Sequence, residues 1–434
     1  MKLLKSANIV NIIENTLNHM DNRLVDHGKR VARHVCKALK KKGGFTPTQI
    51  RDISILGLIH DIGAYKTEEI HNMVAFETGA VWEHSAYGYL FAKHFSPLKH
   101  LSPVLLFHHA SLKELEYLHP DYRDIAQIIF VADRIDVLSL HKPESWDIFV
   151  EHFNRYGGTL FDEKIIDLFI GKDGCLTPQD LAFQHDPEFD EIMYNSEFSD
   201  KEIEDYLNMV VLSIEFRSPQ TMNHTFVTIK ISEILAKKLG FDAGQTAETR
   251  AGALLHDIGK VGMPLHILES TGKLSNEDFY VMKSHVNITK DIFMNYVSDN
   301  TLNIAVNHHE KLDGSGYTNR LRADSLTEPE RLVAVMDIFS ALCGKRTYKE
   351  TFSKERVLSI LTDLKDKGLN DPKIINLTIE HFDELYNAVT EVTDSLTDAY
   401  DDIWREYNLL LEITKDFKNG LGKNEMYIKE PLRW

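Results

Sequence analysis

The sequence predicts an all-α protein made of two tandem helical domains, and three observations support this. Apolar residues recur at three- and four-residue spacing along most of the chain, which is the periodicity of helices with one buried face. Patterns in which apolar and polar residues alternate, as in strands, are scarce. One arrangement of histidines and aspartates occurs twice, about 200 residues apart, and a repeat of this length indicates a duplicated domain.

The helices of both halves can be placed from their ends. Residues 46–59 open on Thr-Pro-Thr and continue as an amphipathic helix, residues 246–255 have the same character, and residues 226–240 are helical up to Gly240. A His-Asp pair follows the first two of these helices, and Gly63 or Gly259 is predicted to break each helix just after the pair.

Each half also ends in a similar way. Residues 160–168 resemble residues 369–377, and residues 378–418 are a long helical pattern without histidine or aspartate ligands of the repeat, expected to serve packing or dimer formation. Residues 171–200 are rich in Gly, Pro, Asp and Asn and are predicted to form the linker zone. The predicted domains are therefore 1–195 and 196–434.

The repeated arrangement has the composition of a metal site. In the second half it comprises His224, His256, Asp257, His285, His308, His309 and Asp337. In the first half it comprises His27, His60, Asp61, His84, His108, His109 and Asp133. Five imidazoles and two carboxylates exceed what one ion needs, so a binuclear site is the simplest interpretation. Nitrogen and carboxylate oxygen ligands without thiolate favour Fe or Mn, with Zn or Ni as alternatives.

Composition limits the classes of partner. The net charge of −17 disfavours DNA or RNA as a partner, because the chain has no broad basic face. The three cysteines are far apart, which argues against disulfides and favours a reducing cytoplasm. No apolar segment approaches the ~20 residues of a membrane helix.

Such a centre suits phosphoryl chemistry. Two ions ~3.5–4 Å apart can clamp a phosphoryl group and lower the pKa of a water molecule between them. Lys260 follows Asp257 by three residues and can stabilise the developing charge or protonate a leaving oxygen. A lone His-Asp pair would be weak support, but ten of the 21 histidines fall within the two ordered arrangements.

The second half resembles the HD-GYP phosphodiesterases, a branch of the HD superfamily of metal-dependent phosphohydrolases. The resemblance covers about 215–350 and is carried by H-D-I-G-K at 256–260, S-H-V at 284–286, H-H-E-K-L-D-G-S-G-Y at 308–317 and M-D-I-F-S-A-L at 336–342. It implies that the seven residues of the second arrangement bind two metals, that Lys260 is catalytic, and that Arg346 and Lys349 hold the substrate phosphate. It places Gly316 and Tyr317 in the loop that gives the family its name. It also implies hydrolysis of a cyclic dinucleotide to a linear one.

Three positions depart from the family pattern. Thr318 replaces a proline of the loop, Gln220 stands where some members have a glutamate for a third metal, and Ser340 replaces an aspartate beside the metal site. The first half lacks the loop and has Ala64 where the second has Lys260, although Lys66 is near; Lys142 stands in place of Arg346. The first half is therefore expected to be a regulatory half with impaired catalysis, with a second independent active site as the alternative, and whether it holds metal is left open.

The arrangement of an HD half followed by an HD-GYP half resembles phosphodiesterases that act on 3′,3′-cyclic GMP-AMP, and this is the expected substrate. Three alternatives stay open: a cyclic di-GMP phosphodiesterase, an HD nucleotidase acting on mononucleotides or alarmones, and a catalytically silent sensor of cyclic dinucleotides. A homodimer is a further expectation.

Overall fold

The computed structural model describes residues 8–20, 25–64, 82–140, 145–181, 186–215, 223–270, 272–344, 352–418 and 428–434. Throughout these ranges the regular structure is helical, and pairing between extended segments is limited to isolated bridges such as the one between Asp313 and Arg322. The prediction of an all-α fold is confirmed.

The chain divides into two compact units. The first unit comprises Ser6–Met209 together with Ile403–Trp434, and the second comprises Val210–Asp402. The division falls within a helix, 14 residues after the predicted boundary between 195 and 196. The proposal that 1–195 and 196–434 are the domains stays a prediction.

The helices of the first unit begin with α1 and end within α10. They are α1 (Asn8–Met20), α2 (His27–Lys42), α3 (Pro47–Leu58), α4 (Trp82–Phe95), α5 (Ser102–Phe107), α6 (Pro120–Leu140), α7 (Trp146–Arg155), α8 (Glu163–Ile170), α9 (Pro187–Tyr194) and α10 (Asp200–Glu215), whose last residues belong to the second unit.

The helices of the second unit continue the series. They are α11 (His224–Leu239), α12 (Ala243–Leu255), α13 (Leu265–Leu268), α14 (Asn276–Lys283), α15 (His285–Phe293), α16 (Asp299–Val306), α17 (Glu328–Cys343), α18 (Lys354–Asp366), α19 (Pro372–Glu380) and α20 (Phe382–Lys418), which extends into the first unit from Ile403.

The helix before each His-Asp pair is fixed at its start by a capping box. Thr46 accepts a hydrogen bond from the backbone N–H of Gln49, whose side chain accepts one from the Thr46 N–H, and Pro47 occupies the first turn of α3. Asp242 and Gln245 form the same reciprocal pair at the start of α12. Each cap contributes about 1 kcal/mol, so both pairs of ligands follow a helix whose register is fixed from the opposite end.

The core of the second unit packs α11 against α17 and the helices that follow. Ile231, Leu235, Met336 and Phe339 are fully buried there. Burial of each such side chain stabilises the fold by roughly 1.5–3 kcal/mol. Packing of this kind holds His224 and Asp337, which lie on these two helices, at a fixed separation.

The predicted linker zone differs from expectation. Within residues 171–200 the structure has a short 3₁₀ helix, Pro178–Leu181, and the helix α9, whose Phe189 and Met193 are buried. Lys37 of α2 forms ion pairs with Asp180 and Asp186 of this stretch. Composition predicted a loop here because glycine, proline and aspartate also serve as helix caps and turns.

Two predictions about the ends of the halves are confirmed. Asp162 caps α8 and Asp371 caps α19, so the similar segments 160–168 and 369–377 begin matching helices. The long pattern at 378–418 is the helix α20. Among the residues that the structure describes, no helix combines the length and apolarity needed to cross a bilayer.

Candidate metal centre

Five segments of the second unit bring the predicted ligands together. His224 begins α11, His285 begins α15, and Asp337 lies within α17. The His256–Asp257 pair follows α12, and the His308–His309 pair follows α16. Because one helix cannot surround an ion, convergence of ligands from several helix ends is what a metal centre requires.

Asp257 lies between two groups of imidazoles. Its Oδ2 is 3.5 Å from His224 Nε2 and 3.2 Å from His256 Nε2. Its Oδ1 is 3.5 Å from His285 Nε2 and 4.0 Å from His308 Nε2. Each oxygen of one carboxylate therefore faces a separate group of nitrogen ligands, which is the arrangement of a ligand that bridges two ions.

Asp337 lies close to one histidine of each group. Its Oδ1 is 3.0 Å from His224 Nε2, and its Oδ2 is 3.7 Å from His309 Nδ1. Asp257 Oδ1 is buried and has no hydrogen-bond partner. A buried carboxylate oxygen without a partner is costly, and a bound cation at this position would satisfy it. The residues present therefore fit a pair of divalent ions.

Backbone and side-chain contacts orient the imidazoles. The Nδ1 atoms of His256, His285 and His308 lie 2.7, 2.6 and 2.6 Å from the carbonyl oxygen of the residue three positions earlier. Donation from Nδ1 leaves Nε2 as the free lone pair directed at the site. Ser340 Oγ is 3.0 Å from His224 Nδ1, so serine makes the contact that the departure from aspartate had put in doubt.

Charge in the centre is balanced by Lys260. Its Nζ is 2.5 Å from Asp257 Oδ2. Burial would raise the pKa of the Asp257 carboxyl, but Lys260 and His256 hold that pKa well below its usual range. Burial, reinforced by His309, lowers the pKa of His308 well below its usual range. Asp257 is thus ionised and His308 neutral, the protonation states that metal ligands need.

Gly259 and Gly63 have a different role from the one predicted. Neither has a positive φ, so they do not act as left-handed helix caps. A Cβ on Gly259 would lie 1.9 Å from the carbonyl oxygen of His285, and one on Gly63 would lie 2.0 Å from that of His84. Glycine is needed because the turn after each His-Asp pair packs directly against the backbone of the helix that carries the next ligand.

The segment that directly follows the loop at 313–318 is held by a buried glutamate, Glu310, to which the sequence alone assigned no role. Glu310 accepts hydrogen bonds from the backbone N–H groups of Asn319, Arg320 and Leu321 at 2.7–3.0 Å. A Cβ on Gly316 would lie 2.5 Å from the Cα of Glu310, so the loop packs directly on the segment after the paired histidines.

Tyr317 of this loop lies beside one of the predicted metal ligands. Its ring centroid is 4.7 Å from that of His309, with the planes inclined by 36°. The predicted loop residues Gly316 and Tyr317 therefore lie at the site. The centre opens on a cavity of about 460 Å³ whose lining includes Lys260, His285, His309, Tyr317 and Asp337.

The first unit repeats the ligand geometry. Asp61 Oδ2 is 3.5 Å from His27 Nε2 and 3.0 Å from His60 Nε2, while its Oδ1 is 3.7 Å from His84 Nε2 and 3.6 Å from His108 Nε2. Asp61 Oδ1 is buried without a hydrogen-bond partner, as in the second unit. The two remaining residues of the arrangement, His109 and Asp133, also lie close together, with Asp133 Oδ2 3.8 Å from His109 Nδ1.

The surroundings of the first centre differ from those of the second. His27 Nδ1 is 2.7 Å from Asp136, which is also paired with Arg30. Arg134 donates two hydrogen bonds to Asp133 Oδ2. In the repeat, Asp136 stands at the position of Ser340, since each follows the last predicted ligand by three residues. This correspondence is the one feature of the sequence that could have indicated the additional carboxylate of Asp136.

The first centre is also more enclosed. The Asp133 side chain is 1% exposed against 12% for Asp337, and that of His109 is 9% exposed against 27% for His309. Ala64, which stands in place of Lys260, is fully buried.

Some predicted residues lie outside the described ranges. They are the predicted phosphate contacts Arg346 and Lys349, the position Gln220, and the first-half lysines Lys66 and Lys142.

Comparison with known proteins agrees with the second centre. Residues 208–374 match the family model of the HD domain. The chain is 24% identical to 3′3′-cGAMP-specific phosphodiesterase 1 of Vibrio cholerae serotype O1 over 384 residues, which cover 83% of this chain and 88% of that protein.

Two further relatives match over shorter stretches. The chain is 35% identical over 179 residues to 3′3′-cGAMP-specific phosphodiesterase 2 of the same organism, covering 40% of this chain and 33% of that one. It is 33% identical over 194 residues to a cyclic di-GMP phosphodiesterase of Thermotoga maritima, covering 44% and 50%. The matched segment thus spans half or less of these two relatives.

A solved structure has a similar fold. The crystal structure of a cyclic GMP-AMP specific phosphodiesterase of V. cholerae (V-cGAP3) superposes with a TM-score of 0.53 at 16% identity, covering 89% of this chain and 97% of that chain. The likeness is one of fold, and it agrees with the all-helical architecture.

Proposed function

We propose that this chain, whose residues 208–374 match the HD domain family model, is a metal-dependent phosphodiesterase that hydrolyses a cyclic dinucleotide to a linear, 5′-phosphorylated dinucleotide. The observation that carries the proposal is that the two oxygens of Asp257 face two separate groups of histidines. Two further features agree with it: Lys260 is paired with the same carboxylate, and the centre opens on a cavity of about 460 Å³.

The proposed centre holds two divalent ions. His224, His256, Asp257 and Asp337 surround one position, and His285, His308, His309 and Asp257 surround the other. Fe or Mn is favoured by this ligand set, with Zn or Ni as alternatives. Bound there, two such ions supply a nucleophile from water near neutral pH and neutralise charge on the phosphoryl oxygens.

The chain's own residues perform three further tasks. Lys260 places a fixed positive charge beside the reacting phosphate and protonates or stabilises the leaving 3′ oxygen. Arg346 and Lys349 hold the substrate phosphates, and both are cations in an acidic chain. Tyr317 stacks on His309 and orients that ligand.

The first unit is assigned a supporting role. It has the full set of ligands His27, His60, Asp61, His84, His108, His109 and Asp133, which makes it a second candidate metal site. Catalysis is not assigned to it, because Ala64 replaces the lysine and the first half has no counterpart of the loop at 313–318.

Substrate choice rests on the relatives. Two relatives are named for 3′3′-cGAMP, so 3′,3′-cyclic GMP-AMP is the preferred candidate, and cyclic di-GMP is the second because a relative of 33% identity is named for it. A nucleotidase is disfavoured by the ordered loop at 313–318. A silent sensor would have the same cavity without turnover.

We also assign the protein to the cytoplasm, because Cys36, Cys175 and Cys343 are all free thiols. A homodimer is proposed, with nucleic acid excluded as a partner by the net charge of −17.

The test is turnover by purified full-length protein with Mn²⁺ or Fe²⁺. Cyclic GMP-AMP, cyclic di-GMP and cyclic di-AMP are compared in parallel, and products are identified by mass. Cleavage of cyclic GMP-AMP to a linear dinucleotide with the highest kcat/KM is expected. Binding without cleavage would show that the protein is a sensor and not an enzyme. Cleavage of mononucleotides alone would show that it is a nucleotidase.

A further inference from the structure

The cavity beside the second centre has an apolar side that the metal chemistry does not use. The segment between Lys260 and His285 contributes Ile267, Leu268, Leu274, Phe279 and Met282 to its lining. A phosphate needs cations and hydrogen-bond donors, so this side fits another part of a ligand.

Phe279 is the residue on that side with the most uncovered apolar surface. Its side chain belongs to α14, in which no residue is fully buried, and it is 44% exposed. A large exposed aromatic ring lining a cavity gains free energy when a ligand covers it. Its exposure is thus a reason to expect contact with a flat apolar group.

A series of contacts connects Phe279 to the metal ligands. The Phe279 ring meets Tyr317 edge to face, with centroids 6.2 Å apart and planes at 83°. Tyr317 in turn lies 4.7 Å from His309. Lys283 Nζ lies 4.5 Å from the centroid of Phe279 and 5.0 Å from that of Tyr317, so one cation holds both rings by cation–π contact.

We propose that Phe279 is the residue against which a base of the substrate stacks, with Tyr317 and Lys283 as positioning residues that hold its ring. The inference rests on the proposed function, because the phosphate at the centre determines where the attached base lies. Aromatic side chains stack on any base, since every base has a π face. The apolar side of the cavity therefore contributes affinity for a base without selectivity among the bases.

The chain offers a matched control. Tyr280 is the next residue of α14, is 80% exposed and does not line the cavity. Phe279→Ala and Tyr280→Ala each remove one exposed aromatic ring from the same turn of the same helix. Neither empties the core, and metal content and thermal stability of both full-length variants are expected to match the wild type.

The measurements are steady-state kinetics and direct binding of cyclic GMP-AMP, with inorganic phosphate as the probe that lacks a base. Loss of one stacking contact corresponds to a rise of about 5- to 150-fold in KM and Kd. Phe279→Ala is expected to show this rise with an unchanged inhibition constant for phosphate. Tyr280→Ala is expected to show neither change, and Phe279→Trp to restore affinity.

The outcomes separate this inference from the proposed function. If the wild type hydrolyses the dinucleotide and Phe279→Ala has the same KM as Tyr280→Ala, base stacking on Phe279 is overturned and the phosphodiesterase stands. If the wild type binds without turnover and Phe279→Ala weakens binding, stacking is supported and the enzyme assignment fails. Equal weakening of dinucleotide and phosphate would mean a disturbed metal centre and would overturn the stacking role.

Discussion

Replacement of Lys260 by methionine tests the chemistry at the second centre most directly. The substitution keeps the length and the apolar stem of the side chain and removes the charge that lies 2.5 Å from Asp257 Oδ2. Lys260 is not a metal ligand, so metal content is expected to be unchanged. The substitution removes the charge beside the reacting phosphate together with the ion pair to Asp257.

The magnitude follows from the distance and the environment. Two unit charges about 4 Å apart interact by ~4 kcal/mol at an effective dielectric constant of ~20. The transition state gains only part of a charge relative to the bound substrate, so about 2.7–4 kcal/mol is the upper range, equivalent to a fall in kcat of ~10²–10³. KM is expected to change little, because the charge acts mainly in the transition state.

The assay is steady-state hydrolysis of cyclic GMP-AMP at saturating Mn²⁺, with bound metal measured on the same samples. Lys238→Met is the matched control, since Lys238 lies in the same unit, is similarly buried and pairs with Glu384 at 2.8 Å, outside the cavity lining. A kcat for Lys260→Met within about fivefold of the control, at full metal content, would refute the catalytic role of the lysine.

Three further changes test the rest of the centre. Gly259→Ala places a carbon 1.9 Å from the His285 carbonyl oxygen, so helix α15 must move by at least 1.1 Å to bring this distance to 3.0 Å. The amount of bound metal is therefore expected to fall. The control Gly272→Ala, whose new carbon has no atom within 4 Å, is expected to retain the metal. The double variant His256→Ala/Asp257→Ala is expected to leave less than about a tenth of the activity, given ~10²-fold losses even for residues that only hydrogen-bond to metal ligands. The double variant His60→Ala/Asp61→Ala is expected to reduce activity or stability only in part and to leave the product unchanged. The reverse pattern would assign catalysis to the first unit. Arg346→Ala and Lys349→Ala should each cost ~1.5–3 kcal/mol, mainly in KM, and wild-type kcat/KM in both would place the phosphates elsewhere.

The ligands could be predicted from sequence because they are part of a repeated and ordered motif. A spacing maintained from His27 to Asp133 and again from His224 to Asp337 indicates a shared scaffold, and the structure brings each set together. The all-helical fold was predictable for a related reason, since helical periodicity is a local property of the chain.

The residues that surround the ligands could not be predicted, because their contacts join distant segments of the chain and have no local sequence pattern. Nothing near Phe279 indicates that its ring meets Tyr317, and nothing near Gly259 indicates that it packs on the His285 carbonyl. Asp136 follows Asp133 by one helical turn, yet only the packing of α6 against α2 brings it to His27. The linker prediction failed at Asp180 and Phe189 because caps and loops share a composition.

The two centres have the same arrangement of predicted ligands but differ in the residues that surround those ligands. Asp61 and Asp257 face their histidines at similar distances, so the scaffold of each unit places the ligands alike. The first centre adds Asp136 with Arg30 behind His27 and Arg134 on Asp133, and all of these contacts favour one fixed arrangement. The second has a serine behind His224, a lysine on its bridging aspartate, and an open cavity. Turnover requires access for the substrate and a cation beside the reacting phosphate, so we expect catalysis in the second unit, although both units keep one ligand geometry.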